Sequence, residues 1–152
     1  MLRKVLQKAY RWAQSNSIWV LHYNTGGCNG CDIEILDLLT PRYDVERLGI
    51  LAEASPRQAD VLLCTGPVTR QSAAGLLQIY EQMPSPKWVV AVGACSTSGG
   101  VFAGSDTILG GVDQVLPVDL YVPGCACRPE AIIAALVQLK AKIEKGAHDE
   151  HQ

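Results

Sequence analysis

Six cysteines stand among the 152 residues, and four of them share one local setting. Cys28 and Cys31 form a C-x-x-C inside Gly26-Gly27-Cys28-Asn29-Gly30-Cys31, Cys95 follows Gly93-Ala94, and Cys125 follows Pro123-Gly124. Thiolates are soft ligands that suit zinc and iron–sulfur clusters. Small neighbours let the backbone approach closely and offer N–H groups to the sulfides of a bulky cofactor. Structural zinc sites generally show two paired knuckles at short spacing, and only the first pair here has that form. An iron–sulfur cluster is therefore the first reading and zinc the second. A third reading, a redox-active dithiol, uses Cys28 and Cys31 but leaves the matching settings of Cys95 and Cys125 to coincidence. Cys64 lies in the apolar run begun by Val61-Leu62-Leu63 and reads as a small buried hydrophobe. Cys127, two residues after Cys125, stays open as its substitute.

For residues nearly a hundred positions apart to meet, the intervening elements must return to one place. Ile18 to Tyr23 is apolar and β-prone and ends at Asn24-Thr25-Gly26-Gly27, which predicts a buried strand stopped by a glycine-rich turn. Further strands are expected over 45–50, 60–65, 88–93 and 120–123. Helices are expected over 2–13, 32–39 and 71–82, with a closing one that begins near Pro129-Glu130 and carries Ile132, Leu136, Leu139 and Ile143. The alternation predicts an α/β fold: a flavodoxin-like open, mostly parallel sheet with helices on both faces. Each of the four cysteines comes just after a strand, and in a parallel sheet the carboxyl ends share one rim, so the cluster is expected there. Residues 94–118, rich in glycine and without clear periodicity, read as a long functional connection.

Three segments are expected: a basic amphipathic helix over 1–17, a single iron–sulfur α/β domain over 18–146, and a disordered polar tail over 147–152 with His148 and His151. A hydrophobic content of 48% is enough for one real core, and a net charge of -2 calls for no nucleic acid. Charge or glycine breaks every apolar stretch well before the roughly 18 residues that a bilayer span needs. No apolar core with a cleavage site marks an export signal, so the chain is expected in the cytoplasm. Reducing conditions there favour metal or redox use of the cysteines over disulfides.

Within residues 2–13, Leu2, Val5, Leu6, Ala9 and Ala13 fall at helical spacing with Lys4, Lys8 and Arg11 on another face. Such a helix touches a membrane or a partner, or packs on its own domain. His22 reads as a satisfied core residue. Glu34, three residues after Cys31, reads as a carboxylate favoured near a helix start, with a proton relay as its sharper role.

Together, Cys-x-x-Cys-x-x-Glu over 28–34, GACSTSGG over 93–100, and VPGC with RPE downstream over 122–130 resemble the small subunit of NiFe hydrogenases and the related cluster-bearing subunit of respiratory complex I. The resemblance runs over about residues 18–145. The complex I branch has two adjacent cysteines where Cys28 and Cys31 stand apart, which places the likeness nearer the hydrogenases. Soluble and periplasmic hydrogenase small subunits continue into a second domain with further clusters, and this shorter chain is similar instead to the energy-converting, membrane-bound (group 4) enzymes.

That resemblance implies one 4Fe-4S cluster held by Cys28, Cys31, Cys95 and Cys125, carrying electrons to or from a separate NiFe-type large subunit that reduces protons or oxidises hydrogen. It implies a ferredoxin-like polyferredoxin subunit and membrane-embedded subunits as further partners, and a peripheral place on the cytoplasmic face of the cell membrane. Relatives usually carry prolines directly after the last ligand, whereas Ala126 and Cys127 precede Arg128-Pro129-Glu130 here, so Cys127 remains an alternative to Cys125. A sulfur-reducing complex of the same architecture would present nearly the same subunit, and the equivalent subunit of a quinone-reducing, complex I-like complex is the further alternative, disfavoured by the Cys-x-x-Cys spacing of Cys28 and Cys31.

Overall fold

Strands covered on both faces must be apolar at every position, and two segments meet that demand: all residues of Val61–Thr65 and of Trp88–Val92 are buried. The computed structural model describes residues 2–145. In chain order the elements are α1 (Leu2–Asn16), β1 (Ile18–Asn24), α2 (Gly30–Asp37), β2 (Ile50–Ala52), β3 (Val61–Thr65), β4 (Val68–Thr69), α3 (Arg70–Gln82), β5 (Trp88–Val92), α4 (Ala94–Ser98), β6 (Ile108–Gly110), β7 (Leu120–Val122) and α5 (Pro129–Lys145). The main sheet has the order β2-β1-β3-β5-β7, and all its strands are parallel. This is the flavodoxin-like winding, with the reversal of strand order between β1 and β3.

The two-residue period of the strands divides the core in two. Val61, Leu63, Val90 and Val92 pack with Ile35 of α2 and with Ile132, Leu136 and Leu139 of α5. Leu62, Cys64, Val89 and Ala91 pack on the opposite face with Leu76 of α3 and Met83. Helices therefore cover both faces, as expected. Cys64 is fully buried, and burial pushes its thiol far above the ordinary range, as its apolar setting predicts. Local signals start the helices: Thr69 and Ser72 form a reciprocal capping box at α3, and Pro129 opens α5, which ends with Lys142 and Lys145 in its last turn.

Two expectations need correction. The strand expected over 45–50 is a 3-10 turn at Val45–Leu48, and the strand itself, β2, begins only at Ile50 and runs to Ala52. Asp44 (φ 44°) and Gly49 (φ 77°) hold left-handed backbone on either side of that turn, while the fully buried side chain of Val45 supplies the apolar signal that imitates a strand. The connection over 94–118 is not featureless. It contains α4, 3-10 turns at Gly100–Phe102 and Val112–Gln114, and β6, which pairs antiparallel with β4. The tail expected over 147–152 lies outside the described residues.

The loops leaving β1 and β3 touch backbone to backbone. Gly66 has φ 80°, and a Cβ there would stand 2.2 Å from Gly27 N and 2.5 Å from Gly27 Cα. Buried Thr25 ties the same two loops together, its hydroxyl donating to Thr65 O and Gly66 O, each at 2.9 Å. Gly66→Ala is expected to cost at least ~1–2 kcal/mol for the left-handed backbone alone, with displacement of the Cys28 loop added. Leu76→Ala, in the other core layer, should cost ~2–5 kcal/mol yet leave that loop in place. Urea unfolding measures both costs, and the reactivity of exposed Cys28 toward a thiol reagent, measured on the folded protein, should change only for Gly66→Ala.

Candidate metal centre

The loop after β1 is shaped by Asn24, whose Oδ1 accepts from Gly26 N at 2.8 Å and Gly27 N at 2.7 Å. This Asx turn presents Cys28 exposed, and Asn29 (φ 71°) then starts α2 with Cys31 half-buried in its first turn. Cys95 sits in the first turn of α4 behind Gly93 (φ 101°), where a Cβ would come within 2.8 Å of Cys31 Sγ. Close approach of that sulfur is what requires glycine. Cys125 follows β7 in a loop held to the start of α4 by Gly93 N donating to Val122 O and Ala94 N donating to Gly124 O, both at 2.8 Å. The Cys125–Ala126 peptide bond is cis.

These loops enclose a pocket of about 70 Å³ lined by Cys28, Cys31, Cys95 and Cys125 together with Gly27 and Gly66. Burial raises the Cys95 thiol above its ordinary range, and the charges of Cys125, Cys28 and Cys31 add to the rise, so the four sulfurs share one electrostatic field. Cys127 does not line this pocket. It is buried behind Cys31, with its Sγ 3.0 Å from Val122 O as donor. Hydrogen bonding from Cys127 pulls the Cys31 thiol below its usual range against the effect of burial, and the same contact, followed by burial, raises Cys127. Among the described residues no three His, Cys, Asp or Glu groups stand close enough to hold a single metal ion.

Beneath the pocket lies a polar group that sequence reasoning missed. Asp32, only 6% exposed, accepts from Asn24 Nδ2 and from Thr65 Oγ1, and His22 Nε2 lies 2.9 Å from its Oδ1 and 3.1 Å from Thr65 Oγ1. A buried carboxylate needs such partners. His22 is thus satisfied, as expected, but its side chain is 32% exposed and so does not belong to the closed core. The carboxylate in the first turn of α2 is Asp32, while Glu34 stands one turn on from Cys31 at partial exposure. A larger cavity of about 310 Å³, mostly apolar, opens beneath α2 between Val20, Ile35, Leu38, Val45 and Leu63 and holds none of the cysteines.

Comparison with known proteins gives this arrangement a context. A probable membrane-bound hydrogenase subunit of Pyrococcus furiosus is 54% identical over 129 residues, covering 85% of this chain and 77% of that protein. The NAD(P)H-quinone oxidoreductase subunit K of Synechococcus elongatus is 50% identical over 139 residues, covering 91% of this chain but only 58% of its own length. These relatives are subunits of oxidoreductase complexes. Among solved structures, a chain of the membrane-bound sulfane sulfur reductase, an archaeal respiratory membrane complex, superposes with a TM-score of 0.81 at 38% identity, covering 91% of this chain and 77% of that one. The [NiFeSe] hydrogenase of Desulfovibrio vulgaris Hildenborough shares the fold, with a TM-score of 0.63 at 18% identity over 88% of this chain and 62% of that one. The family described as NADH ubiquinone oxidoreductase, 20 Kd subunit, matches residues 28–139. Most of the chain, including all four pocket cysteines, falls within that match, and the chain belongs to this family.

Proposed function

We propose that this chain is the electron-transfer small subunit of a membrane-bound NiFe hydrogenase-type complex, with one 4Fe-4S cluster held by Cys28, Cys31, Cys95 and Cys125. One observation carries the reading: four cysteines from three separate strand-end loops line a single pocket. The donor set fits the group: four thiols framed by glycine are spread around a cavity, and the carboxylate of Asp32, which also lines it, is already engaged by Asn24 and Thr65. A tetrahedral zinc site would need its sulfurs about 2.3 Å from one centre, and a dithiol would leave Cys95 and Cys125 without a role.

When bound, such a cluster supplies one-electron transfer at a potential set by charge, hydrogen bonding and water access. This chain's residues would set those levers. Cys127 places its thiol behind Cys31, and the Asp32 network anchors the helix that carries Cys31. Exposed apolar side chains stand on the cysteine-bearing elements: Ile33 and Leu36 on α2, Val101 and Phe102 just past α4, and Tyr121 on β7. Covered by a partner, they would exclude water from the site. We assign that cover to a NiFe-type large subunit, with a ferredoxin-like polyferredoxin subunit as the other electron partner. Membrane-embedded subunits then hold the complex at the cytoplasmic face. Among the described residues no helix is long and apolar enough to cross a membrane. Glu34, one turn from Cys31, serves in this reading as a proton relay at the subunit boundary.

The likeness to the sulfane sulfur reductase chain supports a second reading, the equivalent subunit of a sulfur-reducing complex. The identity with subunit K likewise supports a quinone-reducing one.

Anaerobic purification with co-purifying partners should yield about four iron and four acid-labile sulfides per chain, an EPR signal on reduction, and nickel in the large subunit. Zinc without sulfide would overturn the cluster, and a cluster without nickel would move the reading to the sulfur- or quinone-reducing complexes. Serine at position 28, 31, 95 or 125 should abolish or convert the cluster signal, whereas Cys64→Ser and Cys127→Ser should keep the full iron content. Glu34→Gln should leave the EPR signal intact and slow hydrogen turnover on the order of 10²-fold. Unchanged turnover removes Glu34 from the proton path.

A further inference from the structure

Cys127 is 1% exposed and belongs to the core layer of Ile132 and Leu136 of α5, against which Cys31 packs. Two glycines make room for these two sulfurs. A Cβ on Gly93 would come within 2.8 Å of Cys31 Sγ, and one on Gly124 (φ 151°) would stand 3.2 Å from Cys127 Sγ and 2.9 Å from Cys127 Cα. The sulfurs therefore share a slot between the loops that leave β5 and β7, and a side chain at either glycine would displace one of them. The single proton on Cys127 has two acceptors within reach. Val122 O lies at 3.0 Å, but it already accepts from Gly93 N at 2.8 Å. The other acceptor is Cys31 Sγ, to which Cys127 is hydrogen-bonded.

A neutral thiol is a weak acceptor, whereas a metal-bound thiolate is charged and accepts strongly, the more so away from water. Loading the pocket would thus draw the Cys127 proton from the carbonyl to the sulfur. We propose that Cys127 is a tuning residue and not a ligand: its S–H donates to Cys31 Sγ from behind the pocket and raises the reduction potential of the cluster proposed above. The inference rests on that electron-transfer reading. Each electron that enters adds negative charge to the ligand sulfurs, so a donor to Cys31 stabilises the reduced state more than the oxidised one. The electron comes from the redox partner, the proton stays on Cys127, and no covalent bond to Cys127 forms or breaks.

An EPR-monitored redox titration of the anaerobically purified full chain, with its co-purifying partners, reads the effect on the signal that Cys95→Ser abolishes or converts. Cys127→Ala and Cys127→Val both remove the donor, one leaving space and the other filling it. Each should keep about four iron and four sulfides, while the equilibrium constant for one-electron reduction falls roughly tenfold, a downward shift of about 59 mV. Cys127→Ser keeps a donor and should return the potential towards that of the unsubstituted protein. An unmoved potential in either Cys127→Ala or Cys127→Val with a full cluster overturns the inference. So does a potential that Cys127→Ser leaves as low as Cys127→Ala does, because the loss then follows packing and not donation. Loss of iron from both Cys127→Ala and Cys127→Val assigns Cys127 to holding the cluster or its loop and likewise overturns the tuning role. All three results leave the cluster of the unsubstituted protein in place. Absence of iron and sulfide from the unsubstituted protein is a separate result, and it removes the electron-transfer reading together with this inference.

Discussion

All strands of the main sheet run in one direction, so every loop leaving a carboxyl end opens on the same rim. The register sharpens this. Asn24 pairs with Thr65, Thr65 with Val92, and Val92 with Val122, a single row across four strands. Three of those strands release a cysteine loop within a few residues of the row, at Cys28, Cys95 and Cys125. The fourth, β3, releases Gly66, whose bare backbone lets the Cys28 loop lie against it. An antiparallel neighbour anywhere in that row would have sent its loop to the far edge. Strand direction, more than any single contact, is what converts a separation of nearly a hundred residues into one pocket.

A buried carboxylate under a thiol-lined pocket is costly unless fully partnered, and Asp32 is held by side chains from β1, at His22 and Asn24, and from β3, at Thr65. It sits beside Cys31, so the bonds that satisfy it also pin the first turn of α2 to the neighbouring strands β1 and β3. Polar networks of this kind rigidify when every member is satisfied, and among the described residues no buried side-chain nitrogen or oxygen lacks a partner. Rigidity at this point sets the position of a sulfur rather than merely the stability of a helix.

Much of this was legible in the residues. The unbroken apolar runs of β3 and β5 have few alternatives to buried parallel strands, and once they are placed the glycine-flanked cysteines fall at their ends. Two things were not legible. Val45 to Ile50 carries an apolar signal that a strand and a buried 3-10 turn share, and left-handed backbone at Asp44 is a feature that an aspartate does not announce. The Asp32 network depends on Thr65, 33 residues away in sequence. An acidic residue opening a helix is too ordinary to mark a buried anchor, and only the row of paired strand ends brings its partners within reach.

The outer strands of the sheet, β2 and β7, are only three residues long. Each exposes a very short row of unpaired backbone amides and carbonyls, too little to template a further strand. Growth of the sheet by edge-to-edge pairing is thereby disfavoured. What the fold offers to neighbours is then side-chain surface on helices and loops, where shape and charge discriminate, so the exposed apolar groups of this chain are compatible with selective contacts.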